Sequence, residues 1–454
     1  MIYKVTNPYT GRVEAIFPEA TPVEIVDAYR NAQKYYNFAQ QQQVAERVEK
    51  LHLLAQVFRD NATNLARLET VNMGKLYTEA LGEVNAAANI AEYYAENGAQ
   101  ALQDKNYTYK GNQNAILHYE ATGIVLAIEP WNFPYTQVMR VFAPNYLLGN
   151  AVILKHAPSV AGCARELEMI VKQATIKKGA FKNLFLNEDQ VGELIKQPLV
   201  QGVALTGSVT AGKIVAGKTS ANLVKTTLEL GGNDAFIVLP DADLKKAAAD
   251  AVTARLRNAG QACNGAKRYI VTKEQAAEFI ELVKKGFENQ ILGDPLEKQT
   301  TLAPLATREQ QLRLQKQVEM AIAHGAKILL DGGIEKRAGF FFKPILITDL
   351  TPDNPMFDEE FFGPVGQVHI VEDIEAAIRL ANQSQYGLAG SIYTNDTSQA
   401  ITIAKQLETG QVFINQPAGG YPELPFGGVK NSGYGREMSE LALYEFANQK
   451  IIAL

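Results

Sequence analysis

Cysteine is nearly absent from this chain: 454 residues hold 2, Cys163 and Cys263. Two cysteines cannot build a disulfide framework, so a reducing compartment, the cytoplasm, is the expected setting. Histidine is scarce too, with 5 residues and none at metal-ligand spacing, so no metal site is expected. No apolar run approaches the length of a bilayer span, and Met1-Ile2-Tyr3-Lys4-Val5-Thr6-Asn7-Pro8 lacks the apolar stretch of a signal peptide. An excess of charge of one sign is also missing. The net charge of -5 and a pI near 5.8 argue against nucleic acid or an anionic membrane as the main partner. Low complexity is confined to residues 40–43, and there is no internal repeat.

Two nucleotide-binding signatures are missing or broken. A GxGxxG fingerprint does not occur. The run Gly207-Ser208-Val209-Thr210-Ala211-Gly212-Lys213 begins like a P-loop, but Ile214 stands where a Ser or Thr would ligate magnesium. ATP hydrolysis is therefore not expected. What remains is a glycine turn after the apolar run Val203–Leu205, opening a helix whose free N–H groups suit a phosphate, that of a dinucleotide included.

The residues that are present read as a globular protein, 46% hydrophobic and 20% charged, too long for one ordinary core. From about Thr21 to Gln103 apolar positions recur at helical spacing, most clearly through Val44–Leu68 and Asn85–Leu102. Tyr107–Tyr119 alternates like a hairpin around Gly111-Asn112. Short apolar runs then alternate with helical segments: Ile124–Ile128, Ala151–Leu154, Leu184–Leu186 and Gly202–Leu205. A second series follows Gly232: Ala235–Leu239, Tyr269–Thr272, Ile328–Leu330, Val365–Val371, Ser391–Tyr393 and Val412–Ile414. That rhythm predicts two parallel, doubly wound α/β units joined near Gly231-Gly232, with ligands beyond the carboxyl ends of the strands. Leu441–Leu454 leaves the rhythm and is expected to pair with the hairpin or with a neighbouring subunit.

Against this frame Gly260-Gln261-Ala262-Cys263 stands out. A nucleophilic cysteine needs slim neighbours so that substrate can reach the sulfur, although a buried structural cysteine would satisfy the same four residues. Other stretches accompany it in order: Pro130-Trp131-Asn132-Phe133-Pro134, Leu205-Thr206-Gly207-Ser208, Leu228-Glu229-Leu230-Gly231-Gly232, Glu360-Phe361-Phe362-Gly363-Pro364, and Pro425-Phe426-Gly427-Gly428-Val429-Lys430-Asn431-Ser432-Gly433. Together they resemble the aldehyde dehydrogenase superfamily across essentially the whole chain, and most closely its short bacterial succinate-semialdehyde dehydrogenases.

The resemblance implies a role for each residue. Cys263 would attack the aldehyde, Asn132 would hold the oxyanion with the Cys263 backbone N–H, and Glu229 would activate water to release a free acid. Trp131, Gly207 and Ser208 would lie near the pyrophosphate of NAD or NADP, Lys155 at the adenosine ribose, and Glu360 with Phe362 at the nicotinamide ribose. Pro158 stands where NAD-preferring members carry a glutamate, so NADP should be accepted, with Lys155 and Ser159 available to its 2′-phosphate. Arg140 and Arg257 match the arginines that bind the substrate carboxylate, whereas Glu423 would sit near the tunnel mouth.

The implied architecture is α/β: a Rossmann-like cofactor domain (1–102 and 122–230), a catalytic domain (231–437), and a small β oligomerisation arm (103–121 and 438–454). It implies a homo-oligomer, a dimer or a dimer of dimers. A broad aliphatic or aromatic aldehyde dehydrogenase is the alternative within the family, and a catalytically silent binding or structural member the alternative outside catalysis.

Overall fold

The computed structural model describes residues 3–454. Its chain builds three principal sheets and is α/β. The first is six-stranded, in the order Gly433–Tyr434, Lys225–Glu229, Val200–Thr206, Ile124–Glu129, Ala151–His156, Phe181–Asn183. All neighbours are parallel except the short Gly433–Tyr434 pairing. The central strands are nearly continuous runs of Ile, Val, Leu and Ala buried on both faces, as a parallel sheet between helices requires. The first strand in the chain, Ile124–Glu129, lies in the middle. The next two strands extend the sheet on one side of it, and the chain then crosses back to Val200–Thr206 on the other. The direction of winding reverses between these two, and the crevice opens beyond their carboxyl ends, where Pro130-Trp131-Asn132 and Gly207-Ser208 follow.

The seven-stranded sheet runs Lys327–Leu330, Ile345–Thr348, Val365–Val371, Arg268–Thr272, Ala235–Val238, Ala389–Tyr393, Gln411–Ile414. Only its first pair is antiparallel. Glu229 ends a strand of the first sheet and Ala235 begins one of the second, so the chain passes from one sheet to the other through Gly231-Gly232. Four helices, Pro22–Ala39, Val44–Asp60, Ala62–Met73 and Tyr77–Ala101, precede the first sheet and share its core. The third sheet is antiparallel: Lys105–Tyr109 and Gln113–Ala121 form the hairpin, and Ala447–Ala453 pairs along Ala115–Ala121.

Two strand expectations need correction. Leu184–Leu186 is not a strand; the ladder runs through Phe181–Asn183 instead. Phe185 and Leu186 turn away because their carbonyls are taken by the N-terminal segment, from Ala20 N at 2.9 Å and the Tyr3 hydroxyl at 2.8 Å. Lys225–Glu229, too polar to read as a strand, forms because neighbours pair with both of its edges. An N-terminal hairpin, Tyr3–Thr6 with Val13–Phe17, also went unread.

Candidate active site

Cys263 sits on the loop that enters strand Arg268–Thr272, facing the crevice of the six-stranded sheet. The chain reaches it through three successive left-handed residues, Asn258 and Ala259 (φ 53° each) and Gly260 (φ 76°). Only glycine adopts that geometry freely, so the other two are strained and need outside support. A Cβ on Gly260 would also collide with the Gly363 backbone. The support comes from helix Tyr77–Ala101, where Glu79 Oε1 accepts the Asn258 N–H at 2.9 Å. Asn258 Nδ2 donates to the carbonyls of Asn132 (2.9 Å) and Gln261 (3.2 Å). Gln261 Nε2 donates to Asn258 O at 3.0 Å, and its Oε1 accepts from Ala306 N at 2.9 Å.

Asn132 is bound into the same network. Its Nδ2 donates to Gln261 O at 3.0 Å, and its Oδ1 accepts from Gln137 Nε2 at 3.1 Å. The amide is thereby oriented with one N–H spent on the Cys263 loop and the other left for a ligand. Below it, the buried Lys75 donates to Asn132 O at 2.9 Å, lies 2.6 Å from Glu69 Oε1, pairs with Glu83, and stands 4.1 Å over the Phe133 ring. Glu83 Oε1 accepts from Tyr135 N (2.9 Å) and Thr136 N (3.3 Å). It thus caps helix Thr136–Leu148, whose own N-cap residue, Tyr135, makes no side-chain capping bond.

A cavity of about 540 Å³ opens at this point. Its walls include Trp131, Asn132, Gly207, Ser208, Cys263, Glu360 and Phe362. Trp131 and Phe362 meet edge to face at 5.7 Å between ring centroids. Ser208 caps helix Val209–Ser220 through Ala211 N, and the N–H groups of that helix start face the cavity. Glu360 Oε1 accepts from Gly232 N at 3.2 Å and pairs with Lys267 at 3.0 Å. A helix N-terminus that donates, two aromatic rings and a wall carboxylate that accepts form a lining that fits a dinucleotide.

The remaining candidates lie outside that wall. Lys155 and Ser159 are half-buried at the end of strand Ala151–His156 and in the turn after it. Lys155 has its pKa lowered by burial, opposed by Glu188, an acidic neighbour that sequence spacing did not reveal. Glu229 is fully buried behind the cavity, with both carboxylate oxygens making no hydrogen bond among the described residues. It packs so closely on Gly427 that a Cβ there would lie 2.7 Å from Glu229 Oε1. Arg140 and Arg257 approach Cys263 from another side. Arg140 is 3.5 Å from Glu437 and lies 4.3 Å over the Phe426 ring. Arg257 donates to Asn264 Oδ1 at 3.0 Å and lies 5.9 Å over Phe133. Arg140 therefore has an acidic partner, one too distant in sequence for local spacing to expose. Glu423 is exposed, near enough to Tyr93 to raise its phenol pKa behind burial and Glu440.

The family model described as the aldehyde dehydrogenase family matches residues 1–452. The chain belongs to the aldehyde dehydrogenase family. It is 41% identical over 450 residues to an NADP(+) succinate-semialdehyde dehydrogenase of Deinococcus radiodurans, covering 99% of this chain and 94% of that one. It is 39% identical over 442 residues to an NAD(P)+ succinate semialdehyde dehydrogenase of Escherichia coli strain K12, covering 97% and 96%. A crystal structure of succinic semialdehyde dehydrogenase from Streptococcus pyogenes in complex with NADP+ superposes with a TM-score of 0.98 at 41% identity, covering 100% of this chain and 99% of that one.

In this aldehyde dehydrogenase burial acts first on both Cys263 and Glu229, and the charges that act after it differ. Burial pushes the Cys263 thiol up to about 11; Lys267 and Arg140 pull it down, while Glu360 and Asp234 push it further up. Glu229 is held well above the usual carboxylate range, first by burial and then by Glu437, with Arg140 and Arg436 opposing. Sequence reasoning missed Lys267, Glu437, Gln137 and the stripe Lys75, Glu79, Glu83. Only Glu79 and Glu83 left a signal, two acids at i and i+4 on one face of a helix.

Proposed function

We propose that this enzyme oxidises succinate semialdehyde to succinate, with NADP or NAD as the hydride acceptor. The observation that carries the substrate choice is the pair Arg140 and Arg257 around Cys263: Arg257 holds Asn264, the next residue, at 3.0 Å, and Arg140 lies 4.3 Å over the Phe426 ring, in the cluster against which Cys263 packs. Two guanidinium groups on one side of a nucleophile suit a carboxylate at the far end of a short aldehyde. The names of the relatives support the same substrate and both cofactors.

In this reading Cys263 Sγ attacks the aldehyde carbon. The oxyanion takes hydrogen bonds from Asn132 Nδ2 and the Cys263 backbone N–H, each worth roughly 3–4 kcal/mol in the transition state. The thiohemiacetal on Cys263 loses a hydride and becomes a thioester; a bound NAD(P)+ supplies the hydride acceptor. Glu229 then takes a proton from water, which attacks the thioester and frees the acid and the thiol. Trp131, Gly207, Ser208, Glu360 and Phe362 would hold the dinucleotide, with Lys155 and Ser159 toward its adenosine end.

We also read residues 1–102 and 122–230 as the cofactor-binding unit, 231–437 as the catalytic unit, and 103–121 with 438–454 as an arm joining copies into a homo-oligomer. No helix among the described residues is long and apolar enough to cross a membrane, in keeping with a cytoplasmic enzyme.

The test is steady-state kinetics on succinate semialdehyde and on butanal, each with NADP and NAD. Hydrogen bonds to a charged group contribute about 1.5–3 kcal/mol each. Arg140→Ala or Arg257→Ala should therefore lower kcat/KM for succinate semialdehyde by roughly tenfold to a hundredfold more than for butanal, which has no carboxylate to lose. Equal losses on both aldehydes would make the arginines supports of the fold, and a wild type indifferent to the carboxylate would sink the substrate reading.

A further inference from the structure

Lys267 is fully enclosed, with 0% of its side chain exposed. An ammonium so placed costs several kcal/mol unless its hydrogens are matched. Here all three have acceptors: Ala262 O at 2.9 Å, the Cys263 carbonyl in a still shorter contact, and Glu360 Oε1 at 3.0 Å. The chain from Cys263 to Lys267 turns back on itself through Gly265 N and Ala262 O, 3.1 Å apart, and Lys267 N is then fixed by Asp234 O at 3.2 Å. The result is a positive charge pinned beneath the nucleophile by the backbone of the nucleophile's own loop. Its third partner, Glu360, lines the cavity beside Cys263.

We propose that Lys267 is a positioning residue for the reaction: it closes the Cys263 loop through two carbonyls and supplies the positive charge against which the Cys263 thiolate forms, with Glu360 acting in the opposite sense. Glu360 would then couple the cofactor wall to the sulfur through one lysine. The inference rests on Cys263 being the nucleophile. The charged groups facing the thiol are Lys267 from its own loop, Arg140 from helix Thr136–Leu148, Arg257 from the preceding turn, Glu360 from the cavity wall and Asp234 from the start of the neighbouring strand. Of these, Lys267 lowers the thiol pKa most, and Glu360 is the leading acid that raises it. Thiolate formation breaks the S–H bond, leaves the electron pair on sulfur and passes the proton to solvent.

Iodoacetamide alkylation of the purified enzyme reads this directly, because it needs neither cofactor nor turnover. The thiolate displaces iodide: an S–C bond forms, the C–I bond breaks and iodide leaves. Mass spectrometry locates the label, with Cys263→Ala as the control. At a fixed pH below the thiol midpoint, Lys267→Met should slow alkylation roughly tenfold, whereas Glu360→Gln should accelerate it by a comparable factor. A support of the fold would move both variants the same way or neither, and either result overturns the proposal. If Lys267→Met does not fold, Glu360→Gln decides alone: faster alkylation supports the proposal, and an unchanged or slower rate overturns it. A label that never reaches Cys263 would instead overturn the nucleophile assignment, and this proposal with it.

Discussion

Glu229 poses the sharpest question at the scale of single residues. Burial and Glu437 hold its carboxyl well above the usual range, so the carboxylate that the proposed thioester hydrolysis needs forms only at a higher pH than an ordinary glutamate requires. A general base with a raised pKa works better as pH rises through that value. Deacylation should therefore accelerate as pH rises through that raised value, while hydride release in the first turnover depends on Cys263. Glu229→Gln should keep a burst of reduced cofactor, lose steady-state turnover by about a hundredfold or more, and lose that rise with pH. Stopped-flow absorbance over a pH series separates the two phases, and an unimpaired steady-state rate would remove Glu229 from the mechanism. Cys263, Asn132, Glu360 and Phe362, singled out because their runs follow one another in the order of a known family's motifs, all line one cavity; Gly260 and its neighbours alone would have fitted a structural cysteine equally well. Lys267 and Glu437 were not legible, because their importance lies in contacts rather than in any local pattern. A lysine four residues beyond a cysteine looks like any surface lysine until its burial is known.

Among secondary-structure elements, helix Tyr77–Ala101 carries more of the site than its sequence suggests. Glu83 caps helix Thr136–Leu148, Glu79 holds the left-handed turn before Cys263, and Lys75, just ahead of the helix, holds the Asn132 carbonyl. Removing one partner of a buried ion pair costs about 3–5 kcal/mol, because the other charge is left stranded. Glu83→Ala should therefore lower stability by that order in denaturant unfolding. Its surviving fold should lose kcat with little change in KM, since in the proposed mechanism Asn132 serves the transition state. Glu83→Gln, which can still accept from Tyr135 N and Thr136 N, should keep more of the rate than Glu83→Ala; equal losses would mean that the cap plays no part. The strands show how far local pattern reaches. Ile124–Glu129 and Val365–Val371 were readable because strands buried on both faces become apolar runs. Lys225–Glu229 escaped because its first residues are Lys-Thr-Thr; it owes its conformation to ladders on both edges, which no window of sequence contains. Leu184–Leu186 failed in the opposite way: its apolar character serves contacts with the N-terminal segment rather than a ladder.

For the molecule as a whole, the three-stranded sheet asks for a partner. Ala447–Ala453 is the outer strand, paired on one side with Gln113–Ala121 and hydrogen-bonded to no strand on the other among the described residues. Its exposure is unusual for its composition, with Ile451 58% and Ile452 42% exposed, and Leu454 beyond it 70% exposed. Successive strand residues point to opposite faces, so Ile451 and Ile452 present apolar surface on both sides of the sheet. An open edge with apolar faces is a surface that proteins blunt with charge, cover or pair, and here the only charged side chain on the strand is Lys450. It is drawn back to Glu120 on the adjacent strand, 2.5 Å away, so it does not guard the free edge. A second copy of the chain supplying the cover is the expected arrangement. Light scattering on the purified protein should give a mass that is a multiple of 49.7 kDa. Ile451→Lys combined with Ile452→Lys should shift that mass toward a single chain while thiol alkylation at Cys263 persists, because the cavity takes its walls from the two larger sheets and the loops after their strands. A wild type that elutes and scatters as one chain would refute the association, and a double variant that keeps the wild-type mass would mean that another surface joins the copies.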